Sequence, residues 1–150
     1  MANTYSSLHY HIVFSTKNRH PWIAPKIEER IWKYLGGIAR ENGMTADRVG
    51  GVEDHVHMVV GIPPKLALSK AVQLLKGGSS KWIHGTFPAL AKFAWQDGFS
   101  AFTVSKSILP AVIRYVANQR EHHRVRTFRD EYRTLLEKHG IEFDERYLWG

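Results

Sequence analysis

One run, His55-Val56-His57-Met58-Val59-Val60, limits what this chain can become. Gly50-Gly51 precedes it, and Gly61 with Pro63-Pro64 closes it. Side chains alternate between faces along a β-strand, so His55 and His57 point one way and Val56 the other. Two imidazoles side by side on a stiff sheet can hold one divalent cation, because neutral imidazole is a common ligand for such ions. Two ligands do not make a site, so the rest of the chain has to supply the remainder.

The flanking pattern sets the architecture. Leu8 to Ser15 reads as a first strand, with Leu8, Tyr10, Ile12 and Phe14 on one face and His9, His11, Val13 and Ser15 on the other. Pro25 suits the first turn of a helix whose stripe is Ile27, Ile31, Leu35 and Ile38, and Asn42-Gly43 ends it. Thr45 to Val52 is a weakly patterned second strand, and His55 to Val60 is the third. Ser69 is the expected N-cap of a second helix, which buries Val72, Leu75, Trp82 and Ile83 and stops at Phe87-Pro88. Phe99 to Val104 alternates as a fourth strand. Ser107 is expected to cap a third helix with Pro110 in its first turn, running to about His123. A last helix opens at Thr127-Phe128 and reaches about His139, before Gly140. The acidic, aromatic tail Ile141–Gly150 suits docking on this subunit or on a partner.

The order β-α-β-β-α-β predicts an α+β, ferredoxin-like (RRM-like) antiparallel sheet with helices on one face, followed by C-terminal helices. In that topology the first and third strands are the central pair. The His-Val-His strand then sits beside the strand carrying His9 and His11, and the Tyr115 helix would cover the open face.

The 150 residues are expected to form a single domain, 1–150, large enough for a real core. No apolar run approaches the ~20 residues needed to cross a bilayer. Met1-Ala2-Asn3-Thr4-Tyr5 lacks the pattern of a secretory leader. There is no cysteine, so neither a disulfide framework nor a thiolate metal site exists. A cytoplasmic protein is expected. The excess of 21 Lys+Arg over 14 Asp+Glu, a net charge of +7, favours a polyanionic partner, most commonly nucleic acid.

Tyr115 and Gln119 are four residues apart on the predicted third helix and so share one face, with Asn118 and His122 close to it. A phenol and an amide oxygen would be presented together to the two histidines. That set suits phosphoryl transfer to tyrosine, with a cation stabilising the charge of an in-line displacement. His122-His123 are either further ligands or DNA-facing residues. His9 and His11 either line the site or are polar positions on the sheet.

These residues resemble the single-tyrosine HUH transposases of small bacterial insertion sequences (TnpA-like) and their REP-associated tyrosine transposase relatives. Tyr10-His11-Ile12-Val13-Phe14-Ser15-Thr16-Lys17 looks like the family's first strand. Glu53-Asp54-His55-Val56-His57 matches its His-hydrophobic-His motif. Ser69 to Gly77 with Ser79-Ser80 is similar to its second helix, and Tyr115-Val116-Ala117-Asn118-Gln119 matches its Tyr-x-x-x-Gln helix. The resemblance implies that Tyr115 attacks a single-stranded DNA phosphate, leaving a 5′-phosphotyrosine and a free 3′-OH. It implies that His55, His57 and Gln119 hold Mg²⁺ or Mn²⁺. It further implies hairpin-bearing DNA as substrate and a homodimer, in which tyrosine helices can be exchanged; a mobile helix fits this, and its expected hinge is Lys106-Ser107. Lys17, Arg19, Lys76, Lys81, Arg120, Arg124, Arg126 and Arg129 are the candidate phosphate contacts, with aromatic side chains stacking on unpaired bases.

Two rival readings remain at this level. One is a domesticated HUH nuclease acting on chromosomal hairpins. The other is a non-enzymatic single-stranded nucleic-acid module that binds through an open sheet face.

Overall fold

The computed structural model describes residues 3–149. Met1, Ala2 and Gly150, the extremes of the leader and tail readings, lie outside the described residues. The strands are β1 (His9–Ser15), β2 (Thr45–Val52), β3 (His55–Gly61) and β4 (Ser100–Val104). The helices are α1 (Pro25–Glu41), α2 (Leu68–Thr86), α3 (Leu109–Ala117), α4 (Gln119–His122) and α5 (Phe128–Lys138). The sheet runs β2-β3-β1-β4 with antiparallel pairing throughout, so β1 and β3 are the central pair as expected.

Alternation decides which side chains meet which layer. Ile12, Phe14, Val56, Met58 and Val60 face α1 and α2, where Ile31, Leu35, Val72 and Leu75 complete the main core. The opposite face carries His11, Val13, His55, His57 and Val59. It is shared by two elements rather than covered by the tyrosine helix alone. α3 packs Leu109 and Val116 on Val59 and Val104. α5 and the C-terminal tail pack Phe128, Tyr132, Leu136 and Leu148 on Val13 and Phe102. The tail therefore docks on its own chain. With both faces covered, every residue of β3 from His55 to Val60 is buried. The nucleic-acid module with an open sheet face has no such face to use here.

Three local expectations are corrected. α2 begins at Leu68 behind Ala67 with no side-chain cap, so Ser69 lies inside the first turn instead of capping it. Ser107 does not cap α3 either: the cap position is Ile108, and the Ser107 hydroxyl pairs with that of Ser105 at 3.0 Å. The third helix does not run unbroken to His123. It stops at Ala117, Asn118 leaves helical geometry (φ −104°, ψ 27°), and a separate turn, α4, starts at Gln119. Thr127, by contrast, caps α5, its hydroxyl accepting from the Asp130 N–H at 3.2 Å.

Gly50 sets how closely α3 can approach. It stands opposite His57 in the β2–β3 register. A Cβ there would overlap the carbonyl oxygen of Val116, the residue after Tyr115. Only glycine leaves the slot into which the end of α3 sinks, and that slot brings Tyr115 down to the histidines. Gly50→Ala should therefore cost about 1–3 kcal/mol, the usual range for overpacking. Urea denaturation checks this; a variant as stable as the parent would show that α3 is free to shift.

Candidate active site

The site begins with β3. His55 and His57 are fully buried on the face shared with α3 and α5. His55 Nδ1 lies 2.7 Å from Asp54 Oδ1, in the β2–β3 turn. The carboxylate fixes the proton on Nδ1, so a neutral His55 presents a lone pair at Nε2. His57 Nδ1 lies 2.7 Å from His11 Nε2, with the rings stacked 5.0 Å apart. His11 is opposite Val59 in register, so this is a diagonal contact across the central pair. His9 lies apart from the cluster, paired with Asp47 at 3.3 Å.

The helices bring the other half. Gln119, buried at the start of α4, places Oε1 3.2 Å from His55 Nε2 and 3.2 Å from His123 Nε2. The break at Asn118 accompanies this inward turn of Gln119. Tyr115 is half-buried, with its ring 5.8 Å from that of His57 and 4.5 Å from that of His122. Tyrosine and histidines thus meet within one chain. The motif residues named from sequence, His55, His57, Tyr115 and Gln119, converge on one place.

Glu131 was missed. It is 2 % exposed and comes from α5, with Oε1 3.0 Å from His57 Nε2, 3.3 Å from His123 Nε2 and 3.6 Å from His55 Nε2. Its Oε2 accepts a hydrogen bond from the Tyr115 hydroxyl. A signal existed: Phe128, Glu131 and Tyr132 fall at i, i+3 and i+4 on one apolar helix face, an unusual place for a carboxylate. Phe128 stacks flat on His55, ring centres 3.6 Å apart, and seats the helix.

Burial and charge set the protonation states. Burial lowers the His57 pKa from 6.5 to about 4, against the opposing pull of Glu131. Burial, with His57 beside it, lowers His11 to about 3. Burial raises the Tyr115 phenol, and the Glu131 charge raises it further, so the proton stays on oxygen. For Glu131, burial works to raise the pKa, but the hydrogen bonds of His123 and His57 and the nearby imidazoles hold it well below the usual carboxylate range.

A pH dependence follows. Below pH 6.5 the unfolded chain takes up protons on His11 and His57 that the folded chain refuses until about pH 3 and about pH 4, respectively. Stability therefore falls as pH falls through that window, by about 1.4 kcal/mol per unit for each group once well below 6.5. With a chelator present, the unfolding free energy at pH 5 should be a few kcal/mol below that at pH 7, on the order of the two groups' sum. Equal urea midpoints at the two pH values would contradict the neutral buried pair.

The donor set fits a divalent cation. The ligand atoms of His55, His57 and Glu131 lie within 4.8 Å of one another, the only such His/Asp/Glu group among the described residues. In the tautomer that Asp54 favours, the His55 Nε2 lone pair faces two acceptor oxygens, 3.2 Å from Gln119 Oε1 and 3.6 Å from Glu131 Oε1. A cation between them turns that repulsion into ligation. A cavity of about 460 Å³ opens beside this cluster, lined by His11, Phe102, Val112, Tyr115, Arg126 and Glu131 among others.

The candidate phosphate contacts divide. Lys17 and Lys81 are exposed, and Arg126 stands at the cavity. Arg19 lies over the Trp149 ring at 4.6 Å. Lys76 donates to the backbone carbonyls of Gln96, Asp97 and Gly98, so it ties down the loop before β4. Arg120 pairs with Glu28 and Glu53, Arg124 with Glu121, and Arg129 with Glu145. No helix among the described residues is long and apolar enough to cross a membrane.

Known proteins resemble this chain in sequence and fold. Residues 4–119 match the family model described as "Transposase IS200 like". The chain is 25 % identical over 119 residues to the ISDra2 transposase TnpA of Deinococcus radiodurans, covering 76 % of this chain and 85 % of that one. It is 28 % identical over 131 residues to the IS200 transposase of Salmonella typhimurium, covering 83 % and 85 %. Among solved structures, a candidate transposase of Deinococcus radiodurans R1 superposes with a TM-score of 0.66 at 26 % identity, over 79 % of this chain and 95 % of that one. A REP-associated tyrosine transposase bound to a REP hairpin shares the fold, with a TM-score of 0.56 at 12 % identity, over 79 % and 70 %. With its strand order, its His-Val-His strand and its Tyr-x-x-x-Gln segment all inside the matched residues, the chain belongs to the IS200-like transposase family.

Proposed function

We propose that this protein is a single-strand DNA endonuclease and religase for DNA transposition, acting on hairpin-bearing DNA through a 5′-phosphotyrosine. One observation carries the reading. The Tyr115 hydroxyl bonds to the same carboxylate that His55, His57 and His123 approach, so nucleophile and cation site are a single cluster.

The substrate phosphate enters by the cavity beside Tyr115. A divalent cation, Mg²⁺ or Mn²⁺, held by His55, His57 and Gln119, would polarise a phosphate oxygen and stabilise the charge of the displacement. Tyr115 Oη attacks phosphorus, the bond to the 3′ oxygen breaks, and the phenol's lost proton balances the one the 3′ oxygen gains. Attack by another 3′-OH reverses the step and rejoins strands without a nucleotide cofactor. Asp54 orients His55, and His11 orients His57. Lys17, Lys81 and Arg126 meet the DNA backbone. The reading includes one HUH domain over residues 1–150, a cytoplasmic homodimer, and exchange of tyrosine helices between subunits.

The test is incubation with hairpin-bearing single-stranded DNA and Mg²⁺ or Mn²⁺. A covalent protein–DNA adduct should form, and peptide mass spectrometry should place it on Tyr115. Absence of any adduct with either ion, across a panel of hairpins, would overturn the proposal.

A further inference from the structure

The family-matched residues end at Gln119, yet the cluster does not. Glu131, on α5, lies beyond the match and still reaches the centre of the site. One of its oxygens has three imidazole nitrogens within 3.6 Å. A carboxylate oxygen has two lone pairs, so three donors cannot all be served by it. Nor need all three be donors: in the tautomer that the Asp54 contact at Nδ1 favours, His55 Nε2 turns a lone pair toward Glu131. An arrangement in which nitrogen lone pair, amide oxygen and carboxylate oxygen meet is a ligand set.

We infer that Glu131 is a ligand of the divalent cation, alongside His55, His57 and Gln119, and that its second oxygen holds the Tyr115 hydroxyl beside that cation. The inference rests on the proposed reading of this cluster as a cation site. It deepens that reading in two ways. An imidazole-dominated site does not select hard ions, whereas a carboxylate adds a hard oxygen and a negative charge that suit Mg²⁺ and Mn²⁺. Glu131 also makes α5 part of the site: one side chain spans from the cation to the nucleophile, and Phe128, stacked on His55, fixes the helix that carries it. Toward Tyr115 it is a positioning residue.

The experiment measures Mn²⁺ binding to the full-length protein, by calorimetry and by the electron paramagnetic resonance signal of free Mn²⁺. Wild type, Glu131→Gln and Tyr115→Phe are compared, with circular dichroism reporting the fold. Glu131→Gln keeps the shape and removes the charge; it should weaken Mn²⁺ binding by about tenfold or more. Tyr115→Phe removes only a hydrogen-bond partner of the second oxygen, a loss of about tenfold in metal affinity for outer-shell partners, and should weaken Mn²⁺ binding no more than Glu131→Gln does. Glu131→Gln binding Mn²⁺ as tightly as wild type, or more tightly, overturns the inference, because Glu131 would then be a plug occupying the ion's place. Should Glu131→Gln fail to fold, Glu131→Ala, which leaves no ligand atom, is compared with wild type instead, and unchanged affinity overturns the inference equally. The two proposals separate cleanly. A wild-type adduct on Tyr115 together with unaltered Mn²⁺ binding in Glu131→Gln sinks this inference alone. Weakened Mn²⁺ binding without any wild-type adduct sinks the nuclease reading alone.

Discussion

Tyr115→Phe is expected to abolish the covalent adduct, a loss on the order of a thousandfold or more, as when an enzyme loses its nucleophile. The substitution is clean. The ring keeps its contacts with His122, His57 and His11, and only the hydroxyl and its bond to Glu131 disappear. Glu131 retains His57 and His123 as partners, so the fold stands. Denaturing gels with labelled hairpin DNA read the outcome. An adduct that persists in Tyr115→Phe would move the nucleophile to another residue and leave Tyr115 as packing.

His57→Ala should separate cleavage from binding. Cleavage is expected to fall by at least about a hundredfold, the low end for loss of a catalytic group, while hairpin affinity, on the proposed reading carried by cations other than His57, is expected to change by only a few-fold. The variant also leaves Glu131 short of its 3.0 Å partner, at a stability cost of about 1–3 kcal/mol. Assays therefore belong below the variant's own melting transition. Fluorescence anisotropy for binding and a gel assay for cleavage decide the matter; equal loss of both would make His57 a structural residue.

Much of this was legible in the chain because period-two and helical patterns report which side faces a core. The alternation in β1 and β3 placed His11, His55 and His57 on one face, and the element order put those strands side by side. Tyr115 and Gln119 were found through helical spacing, although the helix between them breaks at Asn118. Glu131 escaped because its meaning depends on a tertiary event, the packing of α5 onto β1, β3 and β4. Nothing local links residue 131 to residue 57. Lys76 and Arg120 misled for a related reason: a cation's partner is invisible until the loop or turn it holds is folded against it. The cap positions failed because α2 and α3 start without side-chain hydrogen bonds, leaving packing to set where each begins.

Arg120 has a consequence of its own. Its guanidinium clamps α4 from outside, 2.7 Å from Glu53 in the β2–β3 turn and 3.1 Å from Glu28 on α1. Its neighbour Gln119 holds the same turn of helix from inside, against His55. The outer clamp is half-exposed and is weakened by dissolved ions, whereas the inner contact is buried and is not. Ionic strength therefore acts on this protein like a screw on a hinge plate. It weakens the outer hold on the segment that follows the tyrosine and leaves the buried contact with His55 in place.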